Sequence, residues 1–152
     1  WLKSGEVANN IIFDTEEYIS REGLKGSSAK IIPSGTVVMA MYGATASQVT
    51  YLDCDTTTNQ ACCNMLTATF EEAAYLYFHC LYQQENIKRL ANGGAQENLS
   101  QELICAQPIL ICENTHIYDV FSKLLSAKIA FSKENYCCGI LLKNLLSNIV
   151  II

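Results

Sequence analysis

Apolar and polar positions change period along the chain. Residues 7–13 (VANNIIF) and 36–42 (TVVMAMY) are short runs rich in apolar and β-branched side chains, which predict strands, the second apolar enough to be buried. Between them Asp14 and Glu17 stand at the spacing of a capping box, so a short helix is expected through about Glu22, ended by Gly23. Residues 24–31 (LKGSSAKI) follow as a flexible basic segment and Pro33-Ser34-Gly35 as a turn. Gly43-Ala44-Thr45-Ala46 then breaks the apolar run. Residues 48–53 (QVTYLD) alternate as a further strand, and 61–69 (ACCNMLTAT) form another after the hexapeptide DTTTNQ at 55–60, which reads as a turn.

From Thr69 the period lengthens. Thr69 and Glu72 form a second capping-box pair, and Ala73, Leu76, Tyr77, Cys80, Leu81, Ile87 and Leu90 recur at helical spacing, predicting a helix over 70–91 that Gly93-Gly94 stops. Asn98 with Gln101 predicts the cap of a short helix, followed by the strand-like 108–112 (PILIC). From about Thr115, Ile117, Phe121, Leu124, Lys128 and Phe131 fall near heptad spacing, and Leu141, Leu145 and Ile149 continue in four-residue steps. This describes a long amphipathic helix that needs a partner, broken over 136–139. The expected fold is therefore α/β (α+β): a twisted, mostly antiparallel sheet with flanking helices, followed by a long C-terminal helical spacer.

Composition narrows the reading. Half of the 152 residues are hydrophobic and 16% are charged, the balance of a globular core rather than a disordered tail. The chain starts at Trp1 and stops within the apolar run 148–152, which reads as a piece of a longer protein. No stretch reaches the ~20 uncharged apolar residues that span a bilayer, and no basic leader precedes an apolar core, so a cytoplasmic chain without a membrane partner is expected. The eight cysteines (Cys54, Cys62, Cys63, Cys80, Cys105, Cys112, Cys137, Cys138) sit mostly inside apolar patterns and read as reduced core thiols. A net charge of −5 argues against a generic polyanion binder. Positive charge is local instead: Arg21, Lys25 and Lys30 face only Glu22 within 18–30, and no basic residue follows before Lys88-Arg89.

Four phrases in order, WLKSGEV (1–7), TEEYISREGLKGSSAKIIPSGTVVMAMYGATA (15–46), TTNQAC (57–62) and GGAQENLSQELICAQPILI (93–111), together carry a resemblance. The chain resembles the target-recognition domain of the DNA-specificity subunit of type I restriction-modification systems. The resemblance covers about residues 1–112 and implies a recognition domain there, incomplete at its N-terminus, with a helical spacer over 113–152. It implies a subunit without catalytic centre or cofactor that reads one half of a bipartite target in double-stranded DNA. Its implied partners are methyltransferase (modification) subunits and restriction subunits, with self-association through the C-terminal helix as a further expectation. The nearly uncharged end, 135–152, departs from the more charged spacer of relatives.

Bases can be read in the major groove by amides and hydroxyls as well as by arginine, and phosphates can be held by hydroxyls and backbone N–H groups. On that basis the candidate DNA-binding residues are Lys25, Ser27, Ser28 and Lys30, then Thr45, then Thr57, Asn59 and Gln60, and finally Gln96 and Asn98. Each has a structural rival: a solvated loop at 25–30, turn chemistry at Thr45, strand-edge locking by Asn59 and Gln60, and a helix-to-helix turn at 93–98. Tyr42, Tyr51, Tyr75 and Tyr77 are expected in the core. His79-Cys80 and Cys112 with His116 lack the paired spacing of a zinc site, and nothing places His79 as a base beside Cys62, so neither a metal nor a catalytic site is expected. Two other classes remain as alternatives: a helical assembly module without base readout, and a cysteine-dependent enzyme.

Overall fold

The run Val37–Ala40 offers no polar position to water, and all four of its residues are buried. It forms β3, one of the two inner strands of a four-stranded sheet in the computed structural model, which describes residues 1–91 and 98–149. β3 pairs antiparallel with β4 (Val49–Leu52) on one side and with β6 (Cys62–Met65) on the other. β1 (Ile11–Ile12) extends the sheet in parallel beyond β4, with Ile11 opposite Tyr51. A separate antiparallel pair joins β2 (Ile31–Ile32) to β5 (Thr56–Thr57), with Ile31 opposite Thr57. The sheet is mixed and mostly antiparallel, as expected.

Period-two alternation along β3 sends its side chains into two cores. Val37 and Met39 pack with Val49, Tyr51 and Cys63 against Tyr77, Cys80 and Ile87. Val38 and Ala40 pack with Leu52 and Cys62 against Leu2 and Val7 of the N-terminal segment. The helix behind the first core is α2 (Phe70–Ala91), which matches the expected 70–91. Its start is capped: Thr69 Oγ1 accepts the Glu72 N–H at 3.2 Å, and the Glu72 carboxylate accepts the Ala68 N–H at 2.9 Å. α4 (His116–Ile149) lies against α2 along its first half, where Leu125 is fully buried and Phe121 packs against the rings of Tyr75 and Phe78. Farther along, Lys133 reaches Asp53 at 3.5 Å and the Tyr136 ring sits 5.6 Å from that of Phe13. Beyond Tyr136 the helix exposes Ile140, Leu141, Leu142, Leu145 and Leu146.

Several expectations need correction. No helix starts at Asp14: its carboxylate accepts the Thr15 N–H and the Tyr18 hydroxyl, while the Thr15 hydroxyl donates to the Glu17 carbonyl, so local bonds displace the helical ones. The helix there is α1 (Arg21–Lys25), capped by Ser20, which accepts the N–H of Gly23 inside it. β4 does not alternate between core and solvent, because buried Thr50 donates its hydroxyl to the Asn10 carbonyl at 2.9 Å. Residues 108–112 form no strand, since Tyr75 takes the Leu110 carbonyl and Leu110 and Ile111 are exposed. The short helix before them, α3 (Gln101–Cys105), is capped by Ser100 rather than Asn98. α4 runs unbroken through Gly139, whose cost of about 1 kcal/mol relative to alanine is too small to stop a 34-residue helix.

Core thiols are found only at Cys62, Cys63 and Cys80. Cys105, Cys137 and Cys138 are exposed, and all eight are free. Tyr51 and Tyr77 are in the core as expected, whereas Tyr42 is exposed. Gly93-Gly94 and Gln96 lie outside the described residues. No helix among the described residues is long and apolar enough to cross a membrane.

Candidate nucleic-acid interface

The two short strands β2 and β5 decide where the polar loops meet. Their pairing lays the basic segment 25–30 beside the hexapeptide 55–60, and a concavity of about 670 Å³ opens between the two. Ser27, Ser28 and Lys30 form part of its wall, with Thr58, Asn59, Gln60 and Asn64 contributed by the hexapeptide and β6. Gln101, the first residue of α3, joins them, and Trp1, Tyr18 and Ile19 supply an apolar side. Lys30 is the one charged side chain among the lining residues, and it makes no ion pair among the described residues.

Hydrogen bonds fix some of these groups and leave others available. The Asn59 Oδ1 accepts the Ala61 N–H at 3.2 Å and the Cys62 thiol at 3.3 Å, closing the turn, while its Nδ2 has no partner among the described residues. The Asn59 N–H donates to the Leu2 carbonyl and the Leu2 N–H to the Thr57 carbonyl, so the loop is clamped onto the N-terminal segment. Asn64 donates from Nδ2 to Thr58 Oγ1 at 2.8 Å, which orients its amide and leaves Oδ1 unpartnered. Ser27 caps locally, its hydroxyl accepting the Ala29 N–H at 3.3 Å. Gln60, Ser28 and Lys30 are exposed, with no side-chain bond among the described residues.

The electrostatics are local. Lys3 bonds Glu17 at 3.0 Å and Glu16 at 3.2 Å, and the first of these contacts chiefly raises its pKa. Two carboxylates beside Tyr18 in sequence are thereby partly neutralised. The Cys62 thiol on the concavity wall is pushed up to about 12, mainly by burial, so it is protonated at neutral pH and acts as a donor rather than a nucleophile. His79 belongs to α2, against the opposite core from Cys62, so the fold separates that pair. Among the described residues no group of three His, Cys, Asp or Glu side chains is arranged to hold a metal ion.

Five of the candidate residues, Ser27, Ser28, Lys30, Asn59 and Gln60, are thus brought together on one wall. The others are not. Thr57 is buried with its hydroxyl unpartnered, and Thr45 donates its hydroxyl to the Ser4 carbonyl at 2.8 Å, tying two turns together. Lys25 and Asn98 are exposed but do not line the concavity, and Gln96 lies outside the described residues. Sequence reasoning missed Tyr18, Asn64 and Gln101, and settled on Thr57 where its neighbour Thr58 lines the wall. The Thr58–Asn64 bond crosses from the loop to β6 and has no local pattern to betray it; the place of Tyr18 in the phrase TEEYIS was the one available signal.

A family model described as type I restriction modification DNA specificity domain matches residues 1–136. No curated protein matches the chain. The match ends at the residue with which α4 makes its ring contact to Phe13.

Proposed function

The chain belongs to the type I restriction modification DNA specificity domain family, and from that premise we propose that the concavity between 27–32 and 58–64 faces DNA and reads one half of a bipartite target. The observation that carries this reading is convergence: hydroxyls, amides and one free lysine from segments far apart in sequence line a single open wall. Lys30 and the hydroxyls of Ser27 and Ser28 hold phosphates, while Gln60, the Asn59 Nδ2 and Gln101 meet base edges. Lys25 and Asn98, exposed and outside the lining, touch the flanking backbone. Buried Thr57 and bonded Thr45 support the loops rather than the contact.

This division assigns recognition to residues 1–112 and gives 113–152 to a helical spacer whose first turns pack on α2. The exposed apolar residues of α4 beyond Tyr136 favour a docked helix, and we assign that stretch to methyltransferase subunits or a second spacer helix. The chain itself performs no chemistry in this scheme and acts in the cytoplasm within a complex that supplies catalysis.

The test uses the complex with its methyltransferase subunit and a duplex whose site is mapped by methylation in cells. Binding is expected to be at least tenfold tighter than to scrambled duplex. Lys30→Ala weakens both duplexes alike and lowers the salt slope by about 1, whereas Gln60→Ala erodes the preference itself by about 1–3 kcal/mol. Equal affinity for all duplexes in the wild-type complex refutes the reading. Exchanging 1–112 for the same segment of a relative separates recognition from assembly: a changed target supports the former, an unchanged target with lost assembly the latter.

A further inference from the structure

The concavity has an apolar side that the polar readout leaves unused. Tyr18 is 75% exposed, and with Trp1 and Ile19 it borders the same space as Gln60 and Asn59. Its hydroxyl is not free: it donates to Asp14 Oδ2 at 2.8 Å, and the other oxygen of that carboxylate accepts the Thr15 N–H at 2.9 Å. The phenol is thereby tied to a carboxylate four residues back along the chain.

This anchoring changes what Tyr18 can offer. A phenol whose proton is committed to a carboxylate has none left for a phosphate oxygen, and the carboxylate beside it repels phosphate. What stays available is the ring. An oriented aromatic surface beside uncharged amides suits the one apolar group on a major-groove base edge, the 5-methyl of thymine, which protein side chains meet by apolar contact.

We propose that Tyr18 is a specificity residue whose ring packs against a thymine methyl in the half-site this chain reads. The proposal rests on the DNA reading above.

The experiment uses the complex with its methyltransferase subunit and the methylation-mapped duplex, with each thymine of the half-site replaced in turn by deoxyuridine. In the wild type, one replacement weakens binding about fourfold, the loss expected for one buried methyl group. In Tyr18→Ala that sensitivity disappears; in Tyr18→Phe, which keeps the ring, it persists. The alanine variant must still assemble with the methyltransferase subunit, and the phenylalanine variant provides the same readout with the least structural change. Deoxyuridine losses equal in wild type and Tyr18→Ala, or no sensitive thymine in the wild type, overturn the proposal. A complex that binds mapped and scrambled duplexes equally overturns the DNA reading instead, which is a different result.

Discussion

Leu125 tests whether α4 is part of the domain or an appendage. Its side chain is fully buried in the core shared by α2 and the sheet, whereas Leu141, on the same helix, is 61% exposed. Leu125→Ala removes three carbon centres from that core, roughly 2.4 kcal/mol of transfer free energy at about 0.8 kcal/mol each. The space left behind adds a further cost, and buried Leu→Ala changes run from about 2 to 5 kcal/mol, so a loss of about 3 kcal/mol is expected. For a chain of this length that lowers the melting midpoint by roughly 6–12 °C. Leu141→Ala, chemically the same change, costs no more than about 0.5 kcal/mol. Urea and thermal melts followed by circular dichroism at 222 nm read both. Equal, small losses at the two sites would show that the first half of α4 does not pack on the domain.

Two further predictions concern strain and protons. Ser47 is fully buried at φ +70° with its hydroxyl unpartnered, so Ser47→Gly relieves both penalties and raises stability by about 1 kcal/mol after the added freedom of the unfolded chain is subtracted. A destabilised glycine variant in the same urea melt would refute this account. Burial raises the Cys62 and Cys80 thiols to about 12 and Cys63 to about 11. Below about pH 9 both folded and unfolded states keep these protons, so the thiols make stability independent of pH there. Above it the unfolded chain releases them while the folded chain retains them, and stability falls toward pH 11–12, by up to about 1.4 kcal/mol per pH unit for each thiol. Iodoacetamide at pH 8 should accordingly modify exposed Cys105, Cys137 and Cys138 in the native chain and reach the three buried thiols only after denaturation. Rapid native labelling of Cys62 would contradict its burial.

What was legible in the sequence followed the strength of each local pattern. β3 stood out because four consecutive positions enter the core, and α2 because seven apolar positions share one helical stripe. The start at Asp14 was misread because its carboxylate, expected to cap a following helix, is taken instead by the Tyr18 hydroxyl four residues on and by the Thr15 N–H. The alternation expected of β4 failed at Thr50, since a threonine can be buried when its hydroxyl finds a carbonyl within reach. The candidate site was half legible for the same reason. Ser27, Ser28, Lys30, Asn59 and Gln60 could be nominated from residue chemistry, but the wall they share depends on the pairing of β2 with β5, each two residues long and too short to leave a period. Thr57 could not be separated from its neighbour Thr58, because which threonine faces inward depends on that same pairing.

The parallel contact between β1 and β4 sets an order on assembly during synthesis. β3, β4 and β6 are antiparallel neighbours joined by short connections, able to pair as soon as the last emerges from the ribosome. Ile11 must wait for Tyr51, and Leu2, which bridges to Thr58 and exchanges backbone bonds with Thr57 and Asn59, must wait longer still. The segment holding Leu2 and Val7 thus settles only after the β3–β4 pair has formed, and until it does one face of that pair, with Val38, Ala40 and Leu52, is left bare. Slowing translation before residue 60 would prolong that bare interval, which makes the nascent N-terminal segment the point at which a chaperone has most to cover.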